Sequence, residues 1–325
     1  MRRTQPDRIS YISAARVIGI LLVVFGHSYP FDVPIPGFLD QVRNFVYSFH
    51  MPLFVLISGY LAARSGKTGG LYIANRAKKL LIPYFVLSAA AFFPKALVQG
   101  YLNDAVEISW GYFLKSELIP RANVWGHFWF IPMIFAFGVL SALLGREMKN
   151  RKWLQGLLLA GAYVLLWLPK TTDWFALEDM RKNLFWYLLG FSLADGKLLE
   201  KLLDSKMMYL AFPAALVLFC LGAEVRVLVA LLMILWVFRV GNVLPVHGSR
   251  LWKQVERHSF TIFLLSWPVQ AVVEVVLNKM LHLPVAVTML GMFAAGTAVP
   301  LMCVKIVNLL KENRCVRWLK LALGM

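Results

Sequence analysis

The sequence predicts an all-α integral membrane protein, a single bundle of about ten transmembrane helices with both termini in the cytoplasm. Three observations carry that expectation. Of the 325 residues, 59% are hydrophobic and only 16% charged, at a mean hydropathy of +0.65, a balance that the surface of a soluble domain does not accommodate. Apolar windows of about 20 residues, the length that crosses a hydrocarbon core, recur along the chain. The basic residues collect in alternate inter-span segments. The net charge of +17 would suggest nucleic acid in a soluble protein. Here the charges fall between apolar spans, so the positive-inside rule accounts for them and membrane lipid, not nucleic acid, is the expected partner.

In order, the predicted spans are 12–30, 46–63, 81–100, 126–144, 153–169, 184–195, 207–222, 226–240, 259–277 and 285–308. With the N-terminus inside, 24 of the 34 basic residues fall in cytoplasmic segments and nine in outer ones. The outer loops carry Trp110, Trp125, Trp174 and Trp186, as an interfacial belt does. MRRTQPDR precedes the first span without a small-residue cleavage site after it, so that span is expected to be retained rather than removed as a secretory signal. Cys220, Cys303 and Cys315 fall in spans or in the basic tail and read as free thiols. Neither an internal repeat nor an appended soluble domain is recognisable, so residues 1–325 read as one membrane domain. The small-residue pair Gly291 and Ala295 suits helix packing, within the chain or between copies.

The first span, ISAARVIGILLVVFGHS, carries Arg16 and His27 eleven residues apart. Eleven steps of an α-helix return to within about 20° of the same face and advance roughly 16 Å. One face therefore presents an arginine near one membrane edge and a histidine at mid-depth or beyond, where an ionisable group is expensive and by default functional. His50, in FHMPLF, and His127, in WGHFWFIP, open the second and fourth spans and reach the same outer half of the membrane. A neutral imidazole is the usual base near neutral pH, able to take a proton from an attacking hydroxyl. A three-histidine metal site is the rival chemistry, but the spacing matches no local metal motif and no carboxylate accompanies it. Glu274 is the candidate buried carboxylate, either orienting a histidine or sitting at the interface.

In ARSGKTGGLYIANRAKK, Arg76 and Lys79 are three apart and share a helix face at the inner mouth. Such a pair suits a polyanion, Arg by forked contacts and Lys as a point charge. Lys67 and Lys78 read as ordinary cytoplasmic charge, and Gly66, Gly69 and Gly70 make the loop pliable without forming a phosphate-loop motif. MPLFVLISGYL, with Pro52 and Ser58-Gly59, reads as helix packing.

Taken together, these segments resemble the membrane acyltransferase family known as acyltransferase 3. ISAARVIGILLVVFGH is similar to its first helix, FHMPLFVLISGYL to its second, NRAKKLLIPY to its basic third-helix motif, HFWFIPMIF to its fourth-helix element and SFTIFLLSWPVQ to its late segment. The FHMPLF form is closest to fucose-type sugar O-acetyltransferases. The resemblance implies transfer of an acyl group, chiefly acetyl, from cytoplasmic acyl-CoA to a sugar hydroxyl of a surface glycan or glycolipid, at the bacterial inner membrane. His27, His50 and His127 would be the catalytic residues, and Arg16, Arg76 and Lys79 would bind the acyl-CoA phosphates. No metal and no tightly bound cofactor are implied. Two departures stand out: Ser13 occupies the place of an Asp, which removes a carboxylate partner for Arg16, and Ser266 stands where a late histidine is frequent. The rival classes are a secondary transporter, which would more often show a repeat and paired broken helices, and a non-catalytic assembly or pH-sensing protein.

Overall fold

The computed structural model describes residues 10–31, 33–97, 109–194, 197–222, 225–244 and 249–325. Arg2, Arg3 and Arg8, together with the 98–100 end of the third predicted span, lie outside the described residues. Every described segment is helical or connecting, with no strand among the described residues. The helices are α1 (Ser10–Gly26), α2 (Gly37–Ser65), α3 (Gly70–Leu97), α4 (Trp110–Leu118), α5 (Phe130–Asn150), α6 (Lys152–Leu166) and α7 (Leu177–Leu193). There follow α8 (Lys197–Asp204), α9 (Ala211–Leu221), α10 (Arg226–Val243), α11 (Arg250–Arg257), α12 (Ser259–Glu274), α13 (Val285–Leu309) and α14 (Arg314–Ala322).

Each predicted span coincides with a helix, though the boundaries move. Helix α2 starts nine residues before its apolar window, through GFLDQVRNF, where Arg43 pairs with Asp40 across one turn. Helix α3 begins at Gly70, so Arg76 and Lys79 ride on its second and third turns. Among the described residues five helical segments, 37–65, 126–150, 226–243, 259–280 and 285–309, are long and apolar enough to cross a bilayer, and α1, α6 and 206–221 are apolar but shorter. Large apolar side chains such as Trp153, Leu157, Val217, Leu221, Leu290 and Met302 point outward, as lipid-facing residues do.

Helix α1 is the hub, packed against α2, α10, α11, α12 and α13. Its residues Ala14, Ala15, Val17, Ile20 and Val24 are almost fully buried. Around it, α2 and α7 meet most closely: a Cβ on Gly59 would lie 1.9 Å from the Tyr187 carbonyl oxygen, and one on Gly190 1.9 Å from that of Leu56. Two glycines thus let the backbones touch, which is the packing role expected of the Ser58-Gly59 segment. Gly291 faces Leu277 inside the chain, so this small residue serves intrachain packing.

The C-terminal end of α1 is held by α12. Buried Gln270 donates from Nε2 to the Val24 carbonyl and to Ser28 Oγ, both at 2.8 Å, and Ser28 Oγ itself donates to Val24 O at 2.7 Å. Carbonyls in the last turn of a helix lack intrahelical donors, and these side chains supply them away from water. His27 follows at once, just past the helix end rather than within it, its backbone N–H still bonded to Val23 O.

Candidate functional site

A cavity of about 950 Å³ opens between α1, α2, α3, α5 and α12. One part of its wall is basic and polar, with Arg16, Lys67, Thr68, Tyr72, Asn75, Arg76 and Lys79. The remainder is apolar, formed by Ile20, Val23, Met51, Phe54, Phe130, Ile131, Ile134 and Phe263. The three basic residues expected to share a ligand do line one space, and Lys67, read from sequence as ordinary loop charge, joins them. This volume is within the usual range of ligand pockets.

Each cation is placed by a specific contact. Arg76 donates from Nη2 to the Ile134 carbonyl at 2.9 Å and from Nη1 to Tyr72 OH at 3.3 Å, which lays its guanidinium across α5. It fits there because residue 138 is glycine: a Cβ would stand 2.0 Å from Arg76 Nε. Arg16 donates from Nη2 to Ser259 Oγ at 3.1 Å and to the Glu256 carbonyl at 3.5 Å. The carboxylate missed at position 13 is not lost from the site. Ser13 Oγ donates to Glu256 Oε1 at 2.6 Å, so α11 brings a buried carboxylate to the Ser13 hydroxyl from 243 residues away.

Val23, in the cavity wall, precedes His27 by one turn and accepts its backbone N–H, whereas His27, His50 and His127 are not themselves among the lining residues. His27 stacks on Trp267 of α12, with ring centroids 4.7 Å apart and planes 19° from parallel. His127 lies 6.1 Å from His27 and 4.9 Å from the same indole. Tyr47 links the third histidine, its ring 6.3 Å from His27 and 5.0 Å from His50, while its hydroxyl donates to the Gly26 carbonyl at 2.7 Å. The histidines expected at one level therefore form one cluster.

Their hydrogen bonds define tautomers. His50 Nδ1 lies 2.9 Å from Val46 O, and His127 Nε2 lies 3.1 Å from Phe263 O. A carbonyl only accepts, so both nitrogens carry the proton. That leaves His50 Nε2 and His127 Nδ1 as lone pairs, and the latter is buried with no hydrogen-bond partner among the described residues. Glu274 is buried as expected, and its carboxylate accepts the Phe31 amide at 2.9 Å.

Sequence reasoning missed Trp267, Gln270, Glu256 and Gly138. Only Gly138, a glycine inside an otherwise bulky apolar helix, left a trace that composition could have raised.

Fold and site together define a multi-pass membrane protein, helical throughout its described residues, with a cavity that is basic in one part and a histidine cluster close to its apolar wall. The chain belongs to the acyltransferase 3 family: a family profile described as an acyltransferase domain matches residues 9–304. It is 30% identical over 188 residues to the nodulation protein NolL of Sinorhizobium fredii, a match covering 54% of this chain and 46% of that protein. It is 28% identical over 196 residues to the nodulation protein NolL of Mesorhizobium japonicum, covering 56% and 46% respectively. The matched region thus spans about half the length of these curated relatives. No solved structure matches the chain.

Proposed function

We propose that the protein is an inner-membrane O-acyltransferase with ten transmembrane helices and both termini cytoplasmic, moving an acyl group, chiefly acetyl, from acyl-CoA to a sugar hydroxyl of a surface glycan or its lipid-linked precursor. The observation that carries the proposal is that Arg16, Lys67, Arg76 and Lys79 share one cavity whose wall also includes Val23 and Phe263, the residues whose carbonyls meet His27 and His127, although none of the three histidines is among the lining residues. Arg76, Lys79, Lys67 and Arg16 suit the donor's phosphates, Arg by paired N–H contacts and Lys by charge. The apolar part suits the pantetheine arm and the acyl group. Membership of the acyltransferase 3 family supports the reaction class, and the FHMPLF segment resembles that of fucose-type sugar O-acetyltransferases.

In this mechanism His27 takes the proton of the acceptor hydroxyl as its oxygen attacks the thioester carbonyl carbon. The C–O bond forms and the C–S bond breaks. The sulfur leaves with its electron pair and receives the proton back from His27, so CoA departs as the thiol. His50 and His127, each with one bare nitrogen, bind the acceptor or the carbonyl region.

The test is mass spectrometry of surface glycans and glycolipids from cells that carry the gene, lack it, or carry His27→Ala. Loss of one acyl group in both altered strains, with the variant still in the membrane, is expected. An unchanged profile across all three would overturn the proposal and put transport in its place.

A further inference from the structure

Catalytic histidines are commonly oriented by a carboxylate or carbonyl that accepts their second N–H and balances the charge they acquire. Among the described residues His27 has no such partner: its side chain makes no hydrogen bond, and its contacts are with rings. The titratable groups that face it are His50 and Tyr47 from α2 and His127 from the turn before α5. The carboxylate of Glu274, on the same helix as Trp267, accepts the Phe31 amide.

What His27 has is the face of an indole. Trp267 lies nearly parallel to it at 4.7 Å, and Phe31 lies nearly parallel to the same indole at 6.5 Å. The separation is fixed by backbone as well as by rings. Gln270, one turn beyond Trp267 on α12, is bonded to Val24 O and Ser28 Oγ on either side of His27 in the chain. A cation within about 6 Å of a tryptophan face is attracted by the ring quadrupole, most strongly where water is excluded.

We propose that Trp267 is the positioning partner of His27, its indole face holding the imidazole in place and stabilising the imidazolium formed when His27 takes the acceptor's proton. This deepens the acyl-transfer reading and rests on it. The charge exists only between proton uptake from the hydroxyl and proton return to the departing sulfur, so the stacking favours the reacting state over the resting one. Aromatic stacking here does the work a carboxylate does in a His–Asp pair.

The test uses the full chain reconstituted in lipid nanodiscs, with acetyl-CoA as donor, water as acceptor and release of the CoA thiol as readout across pH. Trp267→Phe and Trp267→Leu are compared with tetrafluorotryptophan placed at position 267, which keeps the shape but weakens the negative face. Rates are expected to fall in the order Trp, Phe, Leu, by about 10-fold at Leu. The acidic limb of the profile should move to lower pH by up to about one unit, because removing imidazolium stabilisation makes His27 a weaker base. Tetrafluorotryptophan should reproduce the shift in a fully folded protein. A fluorinated variant indistinguishable from wild type, or lower rates with an unmoved acidic limb, would overturn the proposal and leave Trp267 as packing. A wild-type protein that releases no more thiol than His27→Ala would instead remove the acyl-transfer reading, and this proposal with it.

Discussion

Gly138→Ala separates donor binding from folding in a single methyl group. The added Cβ would stand 2.0 Å from Arg76 Nε, 2.4 Å from its Cδ and 2.7 Å from its Cζ. These atoms belong to the far end of a flexible side chain, so Arg76 moves and the α5 backbone stays. The move breaks the 2.9 Å bond to Ile134 O and the 3.3 Å contact with Tyr72. It also carries the guanidinium off the cavity wall. A hydrogen bond from a charged group is worth about 1.5–3 kcal/mol, so the KM for the acyl donor should rise roughly 10- to 100-fold. Thermal stability in detergent should fall by no more than about 2 kcal/mol, since the better helix propensity of alanine, worth as much as about 1 kcal/mol, offsets part of the lost bond, and the variant should stay folded. Donor titration of thiol release, alongside thermal melting, reads both quantities on one sample. An unchanged KM in a stable variant would refute the placement of Arg76 at the donor site, and an unfolded variant would refute the claim that Arg76 alone gives way.

The glycines that join α2 to α7 behave oppositely: Gly59→Ala drives a Cβ onto the Tyr187 carbonyl oxygen, and a drop of about 3 kcal/mol or more is expected in detergent melts. Ser13→Ala removes the 2.6 Å donor to buried Glu256 and should cost about 1.5–3 kcal/mol of stability by the same melts. Ser13→Asp should be worse than Ser13→Ala, because it sets a second carboxylate against Glu256; equal melting temperatures for the two would show that the Ser13–Glu256 bond does not shape this corner. Glu117 lies outside the predicted spans, and burial pushes its carboxyl up to about 7. Its raised folded-state value means that stability is fully present below the ordinary carboxylate range and declines as pH rises toward about 7. Melting temperature should therefore fall between about pH 5 and pH 7 in wild type and less so in Glu117→Gln; parallel curves would refute the shift.

How much of this was legible in the sequence depends on whether a signal was local. Arg76 and Lys79 could be paired from sequence because three helical steps share a face, and both line the cavity. The histidines could be assigned to one level because each opens or closes a span. Apolar windows located the apolar helices but not α4, α8, α11 or α14, which are short, nor the polar first third of α2. The partners that orient the site were hidden because none is near in sequence: Gly138 meets Arg76 across 62 positions, and Trp267 meets His27 across 240.

Position 13 shows most clearly what a single sequence leaves out. Read along the chain, a serine in place of an aspartate looks like the loss of a carboxylate beside Arg16. In three dimensions, α11 packs on α1 and presents Glu256 to the Ser13 hydroxyl, with the Glu256 carbonyl accepting from Arg16. A short hydroxyl leaves room for a carboxylate arriving from a neighbouring helix, whereas an aspartate would repel it in a medium where like charges are poorly screened. In this chain a neighbouring helix thus supplies the carboxylate that meets the residue-13 side chain. A neighbouring helix likewise supplies the contacts at the C-terminal end of α1. There, among the described residues, no carboxylate meets His27, and α12 lays the Trp267 indole against its ring.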